Sequence, residues 1–188
     1  MNETTPPAIK LNPEPEEYIA GENAFLCAVG VCITQWAFID RQLFRLFRRG
    51  IGAATFRAAI VYYDQHTISQ RLRQVDGLLK ELFEPEEHNE LRSWWDELHK
   101  RISDLLPTRN IIAHQPVRRL GTLEGGKPVY IYGIHIEPYQ RYLKKTYKGM
   151  KGKDMLRTED LNTHAEEAAE LHAELASFAK KVVRAFRD

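Results

Sequence analysis

The chain has 188 residues, of which 43% are hydrophobic and 28% are charged. These proportions are typical of a soluble globular protein with one domain, and they exclude a disordered chain, a collagen-like fibre and a disulfide scaffold. The 27 Lys and Arg residues nearly balance the 26 Asp and Glu residues. Net charge therefore predicts no nucleic-acid partner, and such a partner has to be argued from a local site.

The N-terminal region predicts a cytoplasmic protein. Residues 1–15 hold four prolines and little periodicity, which predicts an extended tail in front of a single domain over 16–188. The tail has no basic region followed by an apolar one, so that no signal peptide is expected. Cys27 and Cys32 are five residues apart, a spacing that points them to different sides of a helix and predicts two buried, unpaired thiols in a reducing compartment.

The first predicted helix runs over about 16–48 and is ended by Gly50 and Gly52. Within it, Ala24–Ile39 carries no charge over 16 residues. A helix that spans a membrane needs about 20 residues. The stretch therefore predicts a buried helix, either central in the fold or at a subunit interface, and no membrane association is expected.

Two further helical regions follow. The second covers about 53–83, with a break near 64–66, where Thr67 is placed to cap the second half. The third begins at Pro85, which is a favoured residue in the first turn of a helix. It is predicted to end at Pro107, because the residue before a proline avoids helical torsions.

The chain changes character after the third helix. Gly, Val, Ile and Tyr are frequent over about 117–138, which predicts a β-hairpin. The run 141–157 is basic, with Tyr142 and Tyr147 interleaved. This composition favours a mobile charged linker, and the alternative is a segment that contacts RNA. A last amphipathic helix is predicted over about 158–186.

The sum of these elements predicts an all-α fold. Four long amphipathic helices have to bury their apolar stripes against one another, which gives an antiparallel helical bundle plus a short motif helix, with a small β-hairpin insertion. The start of the last helix is left open, because Thr163 and Glu166 could form a capping box inside it.

The segment Leu105–His114 carries the candidate site. Pro107 is predicted to end the third helix and Thr108 to cap a short one, so that Arg109 and Asn110 stand in its first turn. The first turn of a helix has unpaired backbone N–H groups and the positive end of the dipole, which together favour an anion. The sequence therefore predicts that Arg109 lies at an anion site.

Three side chains of this segment suit a phosphodiester. Arg109 supplies a guanidinium that can grip phosphate oxygens in a bidentate fork. His114 supplies an imidazole that takes and gives a proton near neutral pH. Asn110 lies four residues before His114 and hence on the same helix face. The structural alternative is an arginine paired with an acid at a helix end and a histidine packed under the hairpin.

The pattern Arg109-Asn110-x-x-x-His114 follows a long helix and precedes another, and it resembles the Arg-polar-x3-His motif of HEPN domains. The resemblance implies a helical bundle and a homodimer in which the motifs of two subunits face each other. HEPN proteins include metal-independent endoribonucleases of toxin–antitoxin, abortive-infection and CRISPR-linked defence systems. Others are inactive versions that bind RNA or a protein partner.

The resemblance also implies a role for each motif residue. Arg109 would hold the scissile phosphate and stabilise its developing charge. His114 would act on the RNA 2′-hydroxyl or protonate the leaving oxygen, and Asn110 would orient His114 or the phosphate. The implied protein is a toxin or phage-defence endoribonuclease that leaves 2′,3′-cyclic phosphate ends, with an antitoxin or a nucleotidyltransferase as a further partner. The alternative is a non-catalytic HEPN-like module that binds RNA or protein.

Four other residues are secondary candidates. Arg118, Arg119 and Lys127 on the predicted hairpin are candidates for binding substrate phosphates, and the alternative is that they are solvated hairpin charges. Asp40 is a candidate for orienting a catalytic group, against a carboxylate on the helix surface.

No cofactor motif is complete. The segment Gly121–Pro128 approaches a P-loop, but a proline stands where magnesium binding needs a Ser or Thr hydroxyl. His164 and His172 could share a helix face, but they have no carboxylate partner at metal-ligand spacing. The sequence therefore predicts neither a metal nor a cofactor.

Overall fold

The computed structural model describes residues 16–84, 86–124, 127–136 and 154–186. The helices are α1 (Glu16–Gly50), α2 (Thr55–Tyr63), α3 (Ile68–Leu82), α4 (Asn89–His114) and α5 (Thr158–Ala185), with a 3-10 turn at Glu86–His88 before α4. The strands are β1 (Val117–Glu124), β2 (Lys127–His135) and β3 (Met155–Leu156). The predicted tail over 1–15 and most of the basic run lie outside the described residues.

The predicted class is confirmed as far as a mostly helical fold with a small β insertion. The predicted break near 64–66 is also found, because α2 and α3 are separate helices. The Thr67 hydroxyl accepts a hydrogen bond from the Gln70 amide at 3.2 Å, and the Gln70 side chain accepts one from the Thr67 amide at 3.0 Å. This reciprocal capping box fixes where α3 begins.

The last helix begins where the periodicity first placed it, at Thr158. The Arg157 amide donates to the Asp160 carboxylate at 2.9 Å, which closes the first turn. The alternative of a later start is wrong, because the Thr163 hydroxyl donates to the Glu159 carbonyl at 3.0 Å inside the continuing helix.

The predicted stop at Pro107 is wrong. Helix α4 continues through Pro107 to His114, so that the described part of the chain contains no separate short motif helix. A proline inside a helix gives up one backbone hydrogen bond and crowds the preceding turn. Pro107 is buried together with Leu106, Ile111 and Ile112, and the packing of these side chains outweighs the local preference. The candidate motif therefore lies at the end of a long helix.

Successive helices alternate in direction, which makes α1 and α5 parallel. The Cys32 thiol donates to the Leu161 carbonyl at 3.1 Å and, further along both helices, Gln42 contacts His172 at 3.3 Å. The expected antiparallel arrangement is therefore wrong for this pair. The second predicted helical region is in fact two helices, α2 and α3, so that the described residues contain five helices. Because successive helices run in opposite directions, the first and the fifth run in the same direction.

The core consists of two hydrophobic clusters that share α1. The larger cluster packs the second half of α1 against the other helices around Trp95 and Phe178. The smaller cluster packs the first half of α1 against the sheet, the end of α4 and the start of α5, around Phe25. Leu106 belongs to the larger cluster and Ile111 to the smaller. The motif on α4 therefore lies where the two clusters meet.

The uncharged stretch of α1 is buried along one side only. Leu26, Val31 and Phe38 on the other side are 46%, 44% and 39% exposed. Cys27 is also exposed, which corrects the expectation of two buried thiols, since its offset from Cys32 turns it to the outer side; both thiols are free. By length and composition alone α1 is apolar enough to cross a membrane, a test that core helices of soluble proteins also pass.

The insertion is a three-stranded antiparallel sheet in the order β1-β2-β3. Strands β1 and β2 form the predicted hairpin. Strand β3 was not predicted, because its two residues are too few to show an alternating pattern. A Cβ at Gly133 of β2 would clash with the Met155 side chain and lie 3.0 Å from the Leu156 carbonyl oxygen. The missing side chain of Gly133 therefore lets β3 approach β2.

Candidate functional site

A cleft of about 580 Å³ opens between α1, the turn before α3 and the end of α4. Its volume falls in the range of ligand-binding pockets, roughly 300–1,000 Å³. The motif residues Arg109, Asn110 and His114 all line it. The remaining lining residues come from α1 and from the start of α3, and they are Ile33, Trp36, Ala37, Asp40, His66, Thr67, Ile68, Ser69 and Arg71.

Arg109 is half-buried near the C-terminal end of α4. The predicted contribution of the helix dipole at this residue is therefore wrong, because the C-terminal end of a helix is its negative end. Burial lowers the pKa of Arg109, while Asp40 raises it and Arg71 lowers it further. Arginine nevertheless keeps its charge at any ordinary pH. The cleft thus contains a fixed cation that is partly removed from water.

The donors of Arg109 are incompletely satisfied. Its Nη1 donates to Asn110 Oδ1 at 3.2 Å. Its Nε is buried and has no hydrogen-bonding partner among the residues that the structure describes. Leaving a buried donor without a partner costs about 1–3 kcal/mol. An acceptor in the cleft would relieve this cost once the guanidinium turns its Nε toward it, because the atom has no access to solvent in this orientation.

Asp40 joins α1 to α2 and α3 beside the cleft. Its Oδ1 accepts a hydrogen bond from the Tyr62 hydroxyl at 2.9 Å, and its Oδ2 lies 2.9 Å from Arg71 Nη1. Burial and the neighbouring carboxylate raise the pKa of Tyr62, so that the phenol remains a donor. Because both carboxylate oxygens are engaged, Asp40 holds Arg71 in place and is not a free base.

Arg71 is a second cation in the cleft, and sequence reasoning missed it. Besides its ion pair with Asp40, its Nε donates to the Gln65 carbonyl at 3.0 Å. Its guanidinium carbon lies 5.6 Å from the centre of the Tyr62 ring and 5.0 Å from that of Tyr63, within cation–π range. No sequence pattern links Arg71 to Asp40, which lies 31 residues away.

The N-terminus of α3 supplies the helix end that the sequence placed at Thr108. Thr67, Ile68 and Ser69 line the cleft. The first turn of a helix carries backbone amides without intrahelical partners and the positive end of the dipole. The pattern Thr67-x-x-Gln70 was a readable signal for this helix start, but nothing in the sequence placed it opposite Arg109.

His114 and His66 both line the cleft and are exposed. His114 is the last residue of α4, and Asn110 is exposed one turn earlier. Asn110 Oδ1 contacts Arg109, so that Asn110 orients the guanidinium in this structure. An exposed imidazole can exchange a proton with a ligand in the cleft.

The hairpin candidates Arg118 and Arg119 are not part of the cleft lining. Arg118 and Arg119 are exposed on β1, and the guanidinium of Arg119 lies 4.7 Å from the centre of the Tyr130 ring. Neither arginine is among the residues that line the cleft. Lys127 is described by its backbone, which pairs with Glu124 in the hairpin. The structure therefore does not bring Arg118 and Arg119 together with Arg109.

A second polar contact of α1 is closed to solvent. Trp36 Nε1 donates to His164 Nε2 at 2.9 Å, and burial lowers the pKa of His164 to about 4. Burial likewise raises the pKa of Cys32 to about 11. His172 contacts Gln42 instead, so that the two histidines of α5 bind different residues of α1. His164 is therefore a neutral hydrogen-bond acceptor inside the fold.

Comparisons with protein-family models, with curated proteins and with solved structures found no match to this chain. The structure itself shows a mostly helical protein with a β insertion. Two arginines, one carboxylate and two histidines face one cleft in it.

Proposed function

We propose that this chain is a HEPN-type endoribonuclease that cleaves RNA without a metal. The observation that carries the proposal is the cleft shared by Arg109, Asn110 and His114, where a buried nitrogen of Arg109 has no partner in the part of the chain that the structure describes. A non-bridging phosphate oxygen is a suitable acceptor for that nitrogen. In this proposal α1, α3, α4 and α5 form the bundle of a HEPN domain, and the protein acts in the cytoplasm as a toxin or a defence effector.

The chemistry is an attack of the RNA 2′-hydroxyl on the adjacent phosphorus. The new bond between O2′ and phosphorus forms as the bond to O5′ breaks, which leaves a 2′,3′-cyclic phosphate and a 5′-hydroxyl. One imidazole takes the proton of the 2′-hydroxyl, and a protonated imidazole gives a proton to the O5′ that leaves. His114 performs one of these transfers. Arg109 binds the non-bridging oxygens and stabilises the charge that develops on them.

A homodimer supplies the second motif in this proposal, and His114 of the partner subunit performs the other proton transfer. Ile33 of α1 lines the cleft, and the same helix exposes the apolar side chains of Leu26, Val31 and Phe38. An apolar face of this kind is typical of an interface between proteins. A second copy placed against it would bring two clefts together.

One observation favours the alternative, a non-catalytic HEPN-like module. Asn110 contacts Arg109, so that it does not fix the orientation of His114 within one protomer. An imidazole without a defined orientation contributes less to proton transfer than a positioned one. Under this alternative the cleft binds RNA, or a protein such as an antitoxin or a nucleotidyltransferase, and the phosphodiester stays intact.

The experiment is RNA cleavage in the presence of EDTA. We expect the wild type to cut single-stranded RNA to 2′,3′-cyclic phosphate ends. Arg109→Ala and His114→Ala should each slow cleavage by about 100-fold or more, the size of a lost charge-stabilising or acid–base group. Arg92→Ala and His99→Ala are matched controls, because both residues lie on α4 outside the cleft lining.

Two results would separate the readings. Intact RNA after incubation with folded wild type would contradict the nuclease. If the wild type binds RNA without cleaving it and Arg109→Ala loses the binding, the result would support the binding module.

The dimer is tested by light scattering. Leu26→Glu and Phe38→Glu should give monomers, whereas Phe56→Glu changes an exposed phenylalanine on a different helix and should not.

A further inference from the structure

We infer that the cleft holds a second phosphate subsite, formed by Arg71 and the first turn of α3, next to the phosphate bound by Arg109. The inference rests on the proposed function and specifies its substrate further. One protomer would bind two consecutive phosphodiesters of a single RNA strand, one at each guanidinium.

The first support is that Arg71 is held in place before any ligand binds. Its ion pair with Asp40 and its bond to the Gln65 carbonyl, at 2.9 Å and 3.0 Å, use Nη1 and Nε. Nη2 has no hydrogen-bonding partner among the described residues. A guanidinium that is ion-paired and lies within cation–π distance of Tyr62 and Tyr63 loses little further freedom when it binds an anion. Arg71 therefore offers donors in a fixed position.

The second support is the start of α3 on the same side of the cleft. The capping box satisfies the backbone amides of Thr67 and Gln70. The amides of Ile68 and Ser69 belong to the same first turn, where helices leave donors without intrahelical partners, and both residues line the cleft. A phosphate beside Arg71 would also meet the positive end of this helix dipole.

The third support is the charge balance of the cleft. Arg109, Arg71 and Asp40 all line the cleft, and Asp40 raises the pKa of Arg109 while Arg71 lowers it. One carboxylate then faces two guanidiniums, and its two oxygens are already engaged by Tyr62 and Arg71. The cleft thus keeps an unbalanced positive charge. Its volume of about 580 Å³ is larger than one phosphate group needs.

The experiment compares two ligands that the protein cannot cleave, a 2′-O-methyl dinucleotide with one phosphodiester and a trinucleotide with two. We expect the trinucleotide to bind the wild type about tenfold more tightly, which corresponds to about 1.4 kcal/mol. Ser69→Glu should remove this gain, because its carboxylate repels the second phosphate. The same substitution favours folding, since an acidic residue in the first turn stabilises a helix.

Two variants complete the design. Arg71→Lys keeps the charge but loses the fork and the stacking, and it should lose most of the gain as well. Ser103→Glu makes the same charge change on α4 outside the cleft lining and should keep the gain. Cleavage of unmodified RNA adds a second readout. Ser69→Glu should raise KM for a trinucleotide about tenfold more than it raises KM for a dinucleotide.

The outcomes distinguish this inference from the proposed function. If the wild type binds and cleaves RNA but the second phosphate adds no affinity, the subsite is refuted and the nuclease stands. Equal loss of dinucleotide and trinucleotide binding in Ser69→Glu would also refute a separate subsite. If the wild type neither binds nor cleaves any RNA, the proposed function fails and the subsite fails with it.

Discussion

Two polar arrangements lie one turn apart on α1 and differ in how completely they are satisfied. Trp36 and His164 form a hydrogen bond that is buried inside the fold, behind the wall of the cleft to which Trp36 also contributes. Four residues further on, Asp40 holds Arg71 at the wall of an open cleft, and Arg109 lines the same cleft with a buried Nε that has no partner among the described residues. Trp36 and His164 satisfy each other within the chain, whereas the arginines at the cleft retain hydrogen-bond donors for a ligand.

This difference distinguishes residues that stabilise the fold, such as Trp36 and His164, from residues that are available to bind a ligand, such as Arg71 and Arg109. Substitutions in the pair of Trp36 and His164 should cost stability, because each one leaves a cavity or a buried polar atom without a partner. Substitutions of the donors that face the cleft should cost little stability and change binding instead. Four predictions test this contrast, from the largest expected change in stability to the smallest.

Removing the buried indole should have the largest effect. Trp36 is 1% exposed and belongs to the larger hydrophobic cluster. We expect Trp36→Ala to lower the free energy of unfolding by about 3–5 kcal/mol, measured by urea denaturation. Trp36→Phe should cost less, because it keeps most of the volume and removes the donor to His164. A loss below about 1 kcal/mol in Trp36→Ala would contradict the packing described here.

Acid should weaken the pair of Trp36 and His164. The pKa of His164 is about 4 in the folded protein and near 6.5 in an unfolded chain. Between these values the unfolded state binds a proton that the native state does not, so that stability falls as the pH is lowered from about 6.5 to 4. The loss from this residue is about 3 kcal/mol at most. His164→Gln keeps an acceptor for Trp36 without titrating there.

The measurement is the difference in stability between wild type and His164→Gln at pH 7.5 and at pH 4.5. We expect the wild type to lose more stability than the variant over this interval. All other residues are the same in the two proteins, so that their contribution cancels in the difference. Equal losses in the two proteins would show that His164 is protonated inside the fold.

Breaking the ion pair at the cleft should have an intermediate effect. The side chains of Arg71 and Asp40 are 18% and 16% exposed, so that the ion pair is partly buried. A surface ion pair contributes up to about 1 kcal/mol to stability, whereas breaking a buried one costs about 3–5 kcal/mol. We expect Asp40→Asn to cost about 1–2 kcal/mol, since the amide still accepts from Tyr62. A double-mutant cycle with Arg71→Gln isolates the pair. A coupling near zero would contradict the geometry of Asp40 and Arg71.

Changing the motif residues should affect stability least. Arg109 has a buried donor without a described partner, so that Arg109→Met should leave the free energy of unfolding unchanged or raise it by up to about 1 kcal/mol. His114 is exposed at the end of α4, and His114→Ala should change it by less than about 0.5 kcal/mol. A loss above 1 kcal/mol in Arg109→Met would assign Arg109 to the fold rather than to a ligand.

The sequence predicted the helices because their signals are local. The period of apolar residues placed the first and last helices, and Thr67, as a favoured cap residue, marked the start of α3. Pro107 gave a local signal for the end of a helix, and that prediction was wrong. The helix continues because burial of Leu106 and Ile111 on either side of Pro107 stabilises it. Strand β3 has two residues and depends on Gly133 of β2, which no local pattern reveals.

The site was predictable only in part, because half of it is assembled by tertiary contacts. The spacing of Asn110 and His114 picks out one face of a helix, and both residues line the cleft together with Arg109. Arg71 enters the cleft because Asp40 binds it from a helix 31 residues earlier. The helix N-terminus that the sequence assigned to Thr108 belongs to α3 instead. Such contacts depend on how the helices pack against one another, and the periodicity of apolar residues does not specify this packing.

The most direct test of the account is the Nε–H signal of Arg109 in a nitrogen–proton correlation spectrum, assigned by its absence in Arg109→Lys. On addition of the uncleavable 2′-O-methyl trinucleotide, we expect this signal to shift and its proton to exchange more slowly with water, because a phosphate oxygen becomes its partner. The control signal, Arg92 Nε–H on the same helix, should stay in place. An Arg109 signal that does not change at saturating trinucleotide would contradict the claim that this cleft binds RNA.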